Sequence, residues 1–154
     1  MILLKAKCDV AIARFARDKD LRIRKILLPT AGGPHSLLAA ELARDIARQE
    51  DSEITLLHVG SSPDIKECAE DYFEDVRDSF EGIRNTSRFL VSGNVTKTIA
   101  MEADKNDVVF IGATNRPFLK NFLLGVFPER IVKQTGSTVI MTRKWVKIVD
   151  VLKR

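Results

Sequence analysis

Two glycines in the second half of the chain stand where a backbone could bind phosphate. Gly112 ends the apolar run 108–111, and Gly125 precedes a helix-like segment. Glycine lets a ligand approach the backbone without a Cβ in the way. The start of a helix offers unpaired N–H donors and a partial positive charge. The same two glycines are also ordinary turn residues, so their spacing makes the loop 113–124 a candidate phosphate site and no more.

The other chemically active side chains form no catalytic group. His58 lies near the end of a strand-like run and is interpreted as structural. His35 lies near a helix start, where it is either a surface or capping residue or a phosphate contact. Cys68 has no basic neighbour in sequence that would activate its thiol. The acidic residues from Glu67 to Glu81 are interpreted as a solvated helix face. We therefore expect no catalytic residue, no metal site and no enzymatic turnover.

The apolar pattern predicts the elements that would hold a ligand. Short apolar runs alternate with helix-like stretches, which is typical of a parallel sheet with right-handed crossovers. Five runs predict strands at residues 26–28, 54–59, 89–91, 108–111 and 138–141. The predicted fold class is α/β, a five-stranded parallel sheet with helices on both faces. Ligands of such sheets bind at the carboxyl ends of the strands, here residues 29–33, 59–60, 92–93 and 112–115.

The composition is that of one soluble globular domain. The 154 residues are 45% hydrophobic and 30% charged, with a net charge of +4. No apolar run approaches the roughly 20 residues that cross a bilayer, and Lys5, Lys7 and Asp9 interrupt the N-terminal run, so no signal peptide is predicted. Scattered basic residues and an aromatic content of 6% argue against a nucleic-acid partner. Cys8 and Cys68 make no disulfide framework, so a reduced, cytoplasmic setting is expected.

A short internal repeat relates the two ends of the chain. Residues 9–14 (DVAIAR) align with residues 138–143 (TVIMTR) at an offset of 129, and residues 2–3 align in the same way with 131–132. The match is either a chance similarity of two apolar strands or the trace of a preceding copy of the same domain. We adopt the second interpretation. It divides the chain into a remnant of that copy's last strand (1–14), a linker (15–24), the domain (25–144) and a tail (145–154).

Four stretches of the chain resemble universal stress proteins. Residues 25–30 (KILLPT), 56–59 (LLHV) and 93–95 (GNV) are similar to segments at the first three strands of that family. The loop from Gly112 to Gly125 has the spacing of the family's phosphate-binding pattern, Gly-x2-Gly-x9-Gly-(Ser/Thr). The resemblance covers residues 24 to about 144. It implies a Rossmann-like fold of the adenine nucleotide alpha hydrolase type.

The resemblance also implies which residues would line a nucleotide site. The positions that correspond to the family's ligand contacts are Thr30, Ala31, Gly32, Val59, Gly112, Asn115, Gly125 and Val126. Ala31 stands in place of a nucleoside-binding Asp, Asn115 in place of a glycine, and Val126 in place of a hydroxyl residue. Asn tolerates the left-handed conformation, but Ala and Val cannot replace the lost polar contacts. Binding of ATP or AMP is therefore expected to be weak or lost. Gly32 and Gly33 either reshape this turn for another ligand or belong to a turn that now only folds.

Residues 28–34 and 125–130 are similar to stress-protein domains fused in tandem behind membrane transporters, notably amino-acid permeases. This implies a regulatory or interaction domain on the cytosolic face of the membrane, the C-terminal part of an amino-acid transporter. Its partners would be the transporter's membrane domain or a preceding stress-protein domain, with homodimerisation through the last strand. The alternative is a stand-alone, nucleotide-binding stress-response dimer.

Overall fold

The chain folds around one mostly parallel β-sheet. The computed structural model describes residues 6–17, 22–63, 66–113 and 126–146. Within these ranges the strands are β1 (Val10–Arg14), β2 (Lys25–Pro29), β3 (Glu53–Gly60), β4 (Asn85–Val91), β5 (Val108–Gly112) and β6 (Thr138–Arg143). The helices are α1 (Pro34–Glu50), α2 (Lys66–Arg77), α3 (Val95–Ala103) and α4 (Val126–Gln134).

The strand order places the first and last strands side by side. The six strands are arranged β1-β6-β5-β2-β3-β4. Strands β2 to β6 pair in parallel, while β1 pairs antiparallel with β6. The predicted α/β fold is confirmed. The sheet has six strands instead of the expected five because β1 extends it beyond β6.

Alternating strand residues build a core on each face of the sheet. Successive side chains of a strand point to opposite faces. Ile26 and Leu28 pack in one buried cluster with residues of α1 and α2, such as Phe73. Leu27 packs in the other cluster with Ile99 of α3 and Ile131 of α4. Because both faces are covered, residues 26–28 of β2 and 108–111 of β5 are apolar without interruption.

Helix α1 lies close to the sheet because its inner face is made of alanine. Ala39, Ala40, Ala43 and Ala47 are at most 2% exposed. The helix starts with a proline in its first turn, which suits a position whose N–H has no helical partner. It ends at Asp51, whose φ of 53° is left-handed and whose N–H donates to the Ala47 carbonyl. The first turn of α1 lies beside β5 and β6, because Gly112 and Thr142 both contact His35.

Two predicted boundaries differ from the structure. Strand β4 begins at Asn85, four residues before the expected apolar run. The helix expected over residues 65–80 ends at Arg77, and a 3-10 turn, Asp78–Phe80, follows it.

Candidate functional site

The carboxyl ends of three neighbouring strands bring most of the predicted ligand residues together. Strand β2 lies between β5 and β3, and the chain leaves β2 first towards β3 and later returns to β5. Such a change of direction opens a crevice at the strand ends. Thr30, Ala31 and Gly32 follow β2, Val59 lies near the end of β3, and Gly112 ends β5. Continued along the strands, the pairing of Ile26 with Val108 brings Thr30 level with Gly112.

The polar groups of Thr30 are engaged within the protein. Thr30 is 5% exposed, and its N–H donates to the Leu57 carbonyl at 2.9 Å. Its hydroxyl oxygen accepts from the Gly32 N–H at 3.2 Å. The Thr30 carbonyl lies 2.7 Å from Nδ1 of His58. A carbonyl can only accept, so Nδ1 of His58 carries the proton. His58 therefore supports the turn, in agreement with its structural interpretation.

An aromatic ring covers the turn after β2. Gly32 has a φ of +75°, and a Cβ at this position would lie 2.8 Å from Cδ1 of Tyr72. The Tyr72 ring is half-buried, with its centroid 5.2 Å from that of His58. His58 in turn stacks on Phe89 at a centroid distance of 6.0 Å and an interplanar angle of 9°. The glycine at position 32 thus leaves room for a side chain of the same protein.

Ala31 and Val59 present apolar groups on the two sides of this turn. The Ala31 side chain is exposed, and as a methyl group it offers a ligand no carboxylate. Val59 is 8% exposed and belongs to the core cluster that α3 and α4 cover. Only a small part of Val59 is accessible from the crevice.

The backbone of Gly112 lies close to the first turn of helix α1. A Cβ on Gly112 would lie 2.7 Å from the carbonyl carbon of His35 and 2.7 Å from the amide nitrogen of Ser36. The His35 carbonyl accepts from Oγ1 of Thr142 at 3.0 Å, and Nδ1 of His35 accepts from the Lys144 N–H at 2.9 Å. His35 therefore joins α1 to the end of β6, and the contacts of Gly112 are with that same turn of α1.

The remaining predicted positions are Asn115, Gly125 and Val126. Asn115 and Gly125 lie outside the described residues, and Val126 is the first residue of α4. The predicted phosphate loop is thus represented by its two ends, Gly112 and the start of α4.

Tyr72 and Phe89 are the residues of this region that sequence reasoning missed. Tyr72 is the chain's one tyrosine, and it falls on the apolar side of α2, where it reads as a core residue. A signal was present, since two consecutive glycines after a strand leave space that a nearby aromatic ring can fill. Which ring fills it depends on how α2 crosses the sheet.

A cluster of opposite charges holds α3 to β4, away from the strand ends. Arg88 donates to Oε2 of Glu102 at 2.7 Å, and Lys105 donates to Oε1 at 2.6 Å. Burial, the largest single effect, would raise the pKa of Glu102, but the contacts with Lys105 and Arg88 together outweigh it and lower that pKa below its usual value. The cluster is a structural clamp.

No metal or membrane feature is found in the described part of the chain. Residues 6–17, 22–63, 66–113 and 126–146 contain no group of three or more His, Cys, Asp or Glu side chains placed to hold a metal ion. Cys8 and Cys68 are exposed free thiols. Among the helices in these ranges, none combines the length and apolar character that a bilayer crossing requires.

Comparison with known proteins points to one family. A universal stress protein of Methanocaldococcus jannaschii, MJ0531, is 27% identical over 147 residues, which cover 83% of this chain and 86% of the relative. No family profile matches the chain.

Two solved structures share the fold. A universal stress protein in complex with cAMP superimposes with a TM-score of 0.64 at 18% identity and covers 78% of this chain and 96% of its own. A universal stress protein from Archaeoglobus fulgidus DSM 4304 superimposes with a TM-score of 0.68 at 17% identity and covers 94% of this chain but only 52% of its own. Curated and structural neighbours thus agree on the universal stress proteins as the family that this chain resembles.

Proposed function

We propose that this chain is a universal stress protein domain that acts through protein contacts, with weak or absent nucleotide binding. We further propose that it serves as a regulatory domain at the cytosolic face of a membrane, as the C-terminal part of an amino-acid transporter. The similarity to MJ0531 and to the solved stress proteins supports the class. The assignment to a transporter is supported only by the resemblance of residues 28–34 and 125–130 to domains of that kind.

The proposal of weak binding is supported by the turn after β2, whose polar groups already have partners within the protein. The N–H, hydroxyl and carbonyl of Thr30 each have a partner in the chain. Tyr72 lies against Gly32, and Ala31 offers no carboxylate. A nucleoside would have to displace Tyr72 and would gain no charged hydrogen bond in return. Hydrogen bonds to charged groups contribute roughly 1.5–3 kcal/mol each, so the missing carboxylate alone lowers affinity by more than about tenfold.

A second candidate function is nucleotide sensing at the same strand ends. One stress protein with this fold binds cAMP, and the crevice between β2 and β5 is the position where such sheets bind ligands. Thr30, Val59, Gly112, Asn115 and Gly125 would line that site. In this case the Tyr72 ring would serve as a stacking surface for the base, because aromatic rings stack on bases with little specificity.

Calorimetric titration with ATP, AMP and cAMP, with and without magnesium, separates the two candidates. We expect dissociation constants above about 1 mM, which corresponds to a binding free energy weaker than roughly −4 kcal/mol. A constant below about 100 µM for any of them would overturn the main proposal and favour sensing.

Variants then test the reason for weak binding. Tyr72→Ala opens the turn and Ala31→Asp restores a carboxylate, so the two changes together should strengthen binding at least tenfold. Tyr72→Phe and Ala31→Asn are the matched controls, because they keep the ring or the size without the new space or charge. Equal affinity in all variants would mean that this turn does not limit binding.

We also propose that the domain has no enzymatic turnover. The ring nitrogens Nδ1 of His58 and His35 both face backbone groups. Phosphate release from ATP should therefore equal that of buffer, and a rate above buffer that stays with the protein through repeated purification would contradict this. A membrane segment upstream in the same reading frame would support the transporter assignment, and a free-standing gene would contradict it.

A further inference from the structure

A cleft with charged walls lies at the amino ends of β2, β3 and β4, at the opposite edge of the sheet from the candidate site. Its volume is about 380 Å³, which falls within the range of small-molecule sites, roughly 300–1,000 Å³. Three basic and three acidic residues line it: Arg24, Lys25, Arg84, Glu50, Asp51 and Glu53. The cleft thus offers a ligand charges of both signs in equal number.

Basic and acidic residues alternate across the three strand starts. Lys25 is paired with Glu53 in the ladder of β2 with β3. The pairing of Ile54 with Asn85 in the next ladder, continued by one residue, places Arg84 beside Glu53. Neighbouring strands lie about 4.8 Å apart. The cleft therefore contains a basic–acidic–basic row with one strand spacing between successive residues.

Hydrogen bonds hold the backbone that carries this row. Oδ2 of Asp107 accepts from the Arg24 N–H at 2.8 Å and from the Lys25 N–H at 2.9 Å. The Arg24 carbonyl accepts from the Glu53 N–H at 2.9 Å, and the Arg84 carbonyl accepts from the next amide along β3 at 2.9 Å. The points from which the charged side chains extend are thus fixed before a ligand arrives, which lowers the entropic cost of binding.

The charged groups of the cleft are only loosely paired with one another. Nζ of Lys25 lies 3.9 Å from Oε1 of Glu53, and Nη2 of Arg84 lies 3.5 Å from Oδ1 of Asp51. Strong charged hydrogen bonds are shorter, about 2.7–2.9 Å, and these four side chains are 49–97% exposed. Exposed ion pairs of this kind contribute little to stability. A ligand can therefore take over these groups at a small cost.

Two further charges of the cleft are available to a ligand. Glu50 is the last residue of α1, and Asp51 caps the helix. The carboxyl end of a helix carries a partial negative charge, which adds to that of these two carboxylates. Within residues 6–17, 22–63, 66–113 and 126–146, neither Glu50 nor Arg24 forms an ion pair through its side chain.

We propose that this cleft binds a small zwitterion of the amino-acid class through both its ammonium and its carboxylate. The acidic residues hold the ammonium and the basic residues hold the carboxylate. A single anion would be repelled by three of the six lining residues, and so would a single cation, whereas a ligand with both charges gains from all six. The alternation along the row favours a ligand whose two charges lie about one strand spacing apart. Because the cleft lies away from Thr30 and Gly112, its binding is independent of the proposed function.

Titration of the full chain with γ-aminobutyrate tests the proposal, because the extended form of this zwitterion separates its charges by about one strand spacing. Proton–nitrogen correlation spectra should show saturable shifts with a dissociation constant on the order of 1–10 mM, since exposed charge contacts are weak. The amide signals of residues 24–25, 50–53 and 84 should move, and those of residues 30–32 and 112 should not. A lack of saturable shifts at the cleft up to about 50 mM ligand would overturn the proposal.

Butyrate and butylammonium are the matched ligand controls, because each keeps the carbon chain and one of the two charges. At constant ionic strength both should bind at least about tenfold more weakly than γ-aminobutyrate. Equal affinity for either single ion would mean that the cleft attracts ions without reading both charges, and would overturn the assignment to a zwitterion.

Two variants remove the charges of the cleft that have no ion pair in the described part of the chain. Glu50→Gln and Arg24→Gln should each weaken γ-aminobutyrate binding at least about threefold. Glu74→Gln on α2 and Lys97→Gln on α3 are the matched controls, because they remove an exposed charge of the same sign outside the cleft. The four side chains are exposed, so all four variants should melt close to the parent protein. Equal weakening by the cleft variants and their controls would mean that overall charge determines binding, and would overturn the proposal.

Discussion

The tightest glycine of the candidate site gives the sharpest test of the fold. In Gly112→Ala, the new Cβ would lie 2.7 Å from the His35 carbonyl carbon, 2.7 Å from the Ser36 nitrogen and 2.9 Å from the His35 oxygen. Favourable carbon contacts need about 3.5–4.0 Å. The first turn of α1 must therefore move away from β5 by close to 1 Å.

The cost is high because the opposing atoms belong to a backbone. A side chain can rotate away, but the turn of α1 is held by the bonds from Thr142 and Lys144 to His35. Overpacking a close-packed site costs about 1–3 kcal/mol, and we expect the upper half of that range, about 2–3 kcal/mol. At roughly 2–4 °C per kcal/mol for a chain of this size, the melting temperature should fall by about 5–10 °C.

Thermal melts followed by circular dichroism, with urea titrations for the free energy, measure this effect. The matched control is Gly93→Ala, at the carboxyl end of β4, because a Cβ there would meet no atom within 4 Å. It should stay within about 0.5 kcal/mol of the parent protein. A Gly112→Ala protein that melts within about 1 °C of the parent, or together with Gly93→Ala, would refute the close approach of α1 to β5.

Three further changes test the contacts around the site and the clamp on α3. Glu102→Gln should cost about 1–2 kcal/mol at pH 7. Because its contacts with Lys105 and Arg88 lower the pKa of Glu102 in the folded protein, its contribution is full above the pKa of the unfolded chain and is lost as the pH falls through the lower, folded pKa. A difference in urea stability between the two proteins that does not shrink in acid would contradict this. Thr142→Val removes the buried hydrogen bond to the His35 carbonyl and should cost about 1–2 kcal/mol. Thr142→Ser keeps the hydroxyl and should therefore be destabilised much less. Equal urea midpoints for the Val and Ser variants would argue against the hydrogen bond. Gly32→Ala should cost about 1–3 kcal/mol, because position 32 has a positive φ and a Cβ there would contact Tyr72. Adding Tyr72→Leu should relieve the contact but not the strain of the positive φ. Full recovery of the melting temperature in the double variant would mean that the positive φ causes no strain.

The central sheet was predictable because burial leaves a direct mark on sequence. Strands covered on both faces must be apolar at every position, and all five residues of β5 are buried. The same reasoning missed the first half of β4. Strand β4 lies at the edge of the sheet, where Thr86, Ser87 and Arg88 are exposed. A polar edge strand carries no apolar run, so only its pairing with β3 reveals its length.

The position of the candidate site could be predicted from the sequence, but the neighbours that fill the space beside its glycines could not. Glycine marks a position where something comes close, and the sequence does not name the neighbour. At Gly112 the neighbour is the first turn of α1, and at Gly32 it is the ring of Tyr72. Both neighbours are set by how helices cross the sheet, which involves residues far apart in the chain. A glycine pattern therefore predicts close packing more firmly than it predicts a ligand.

Strand β6 joins the candidate site to the β1 segment. Thr142 and the Lys144 N–H bind His35 at the start of α1, while Arg143 and the Trp145 N–H bind the β1 segment. Contacts with the two regions thus alternate along four consecutive residues. A strand that replaced β1 with a shift of register would have to move Arg143 and Trp145, and their neighbours hold α1. Because each of these bonds contributes only about 1 kcal/mol, we expect any coupling between the strand ends and the β1 contact to be of that order. Such a coupling would change an affinity at the strand ends about fivefold.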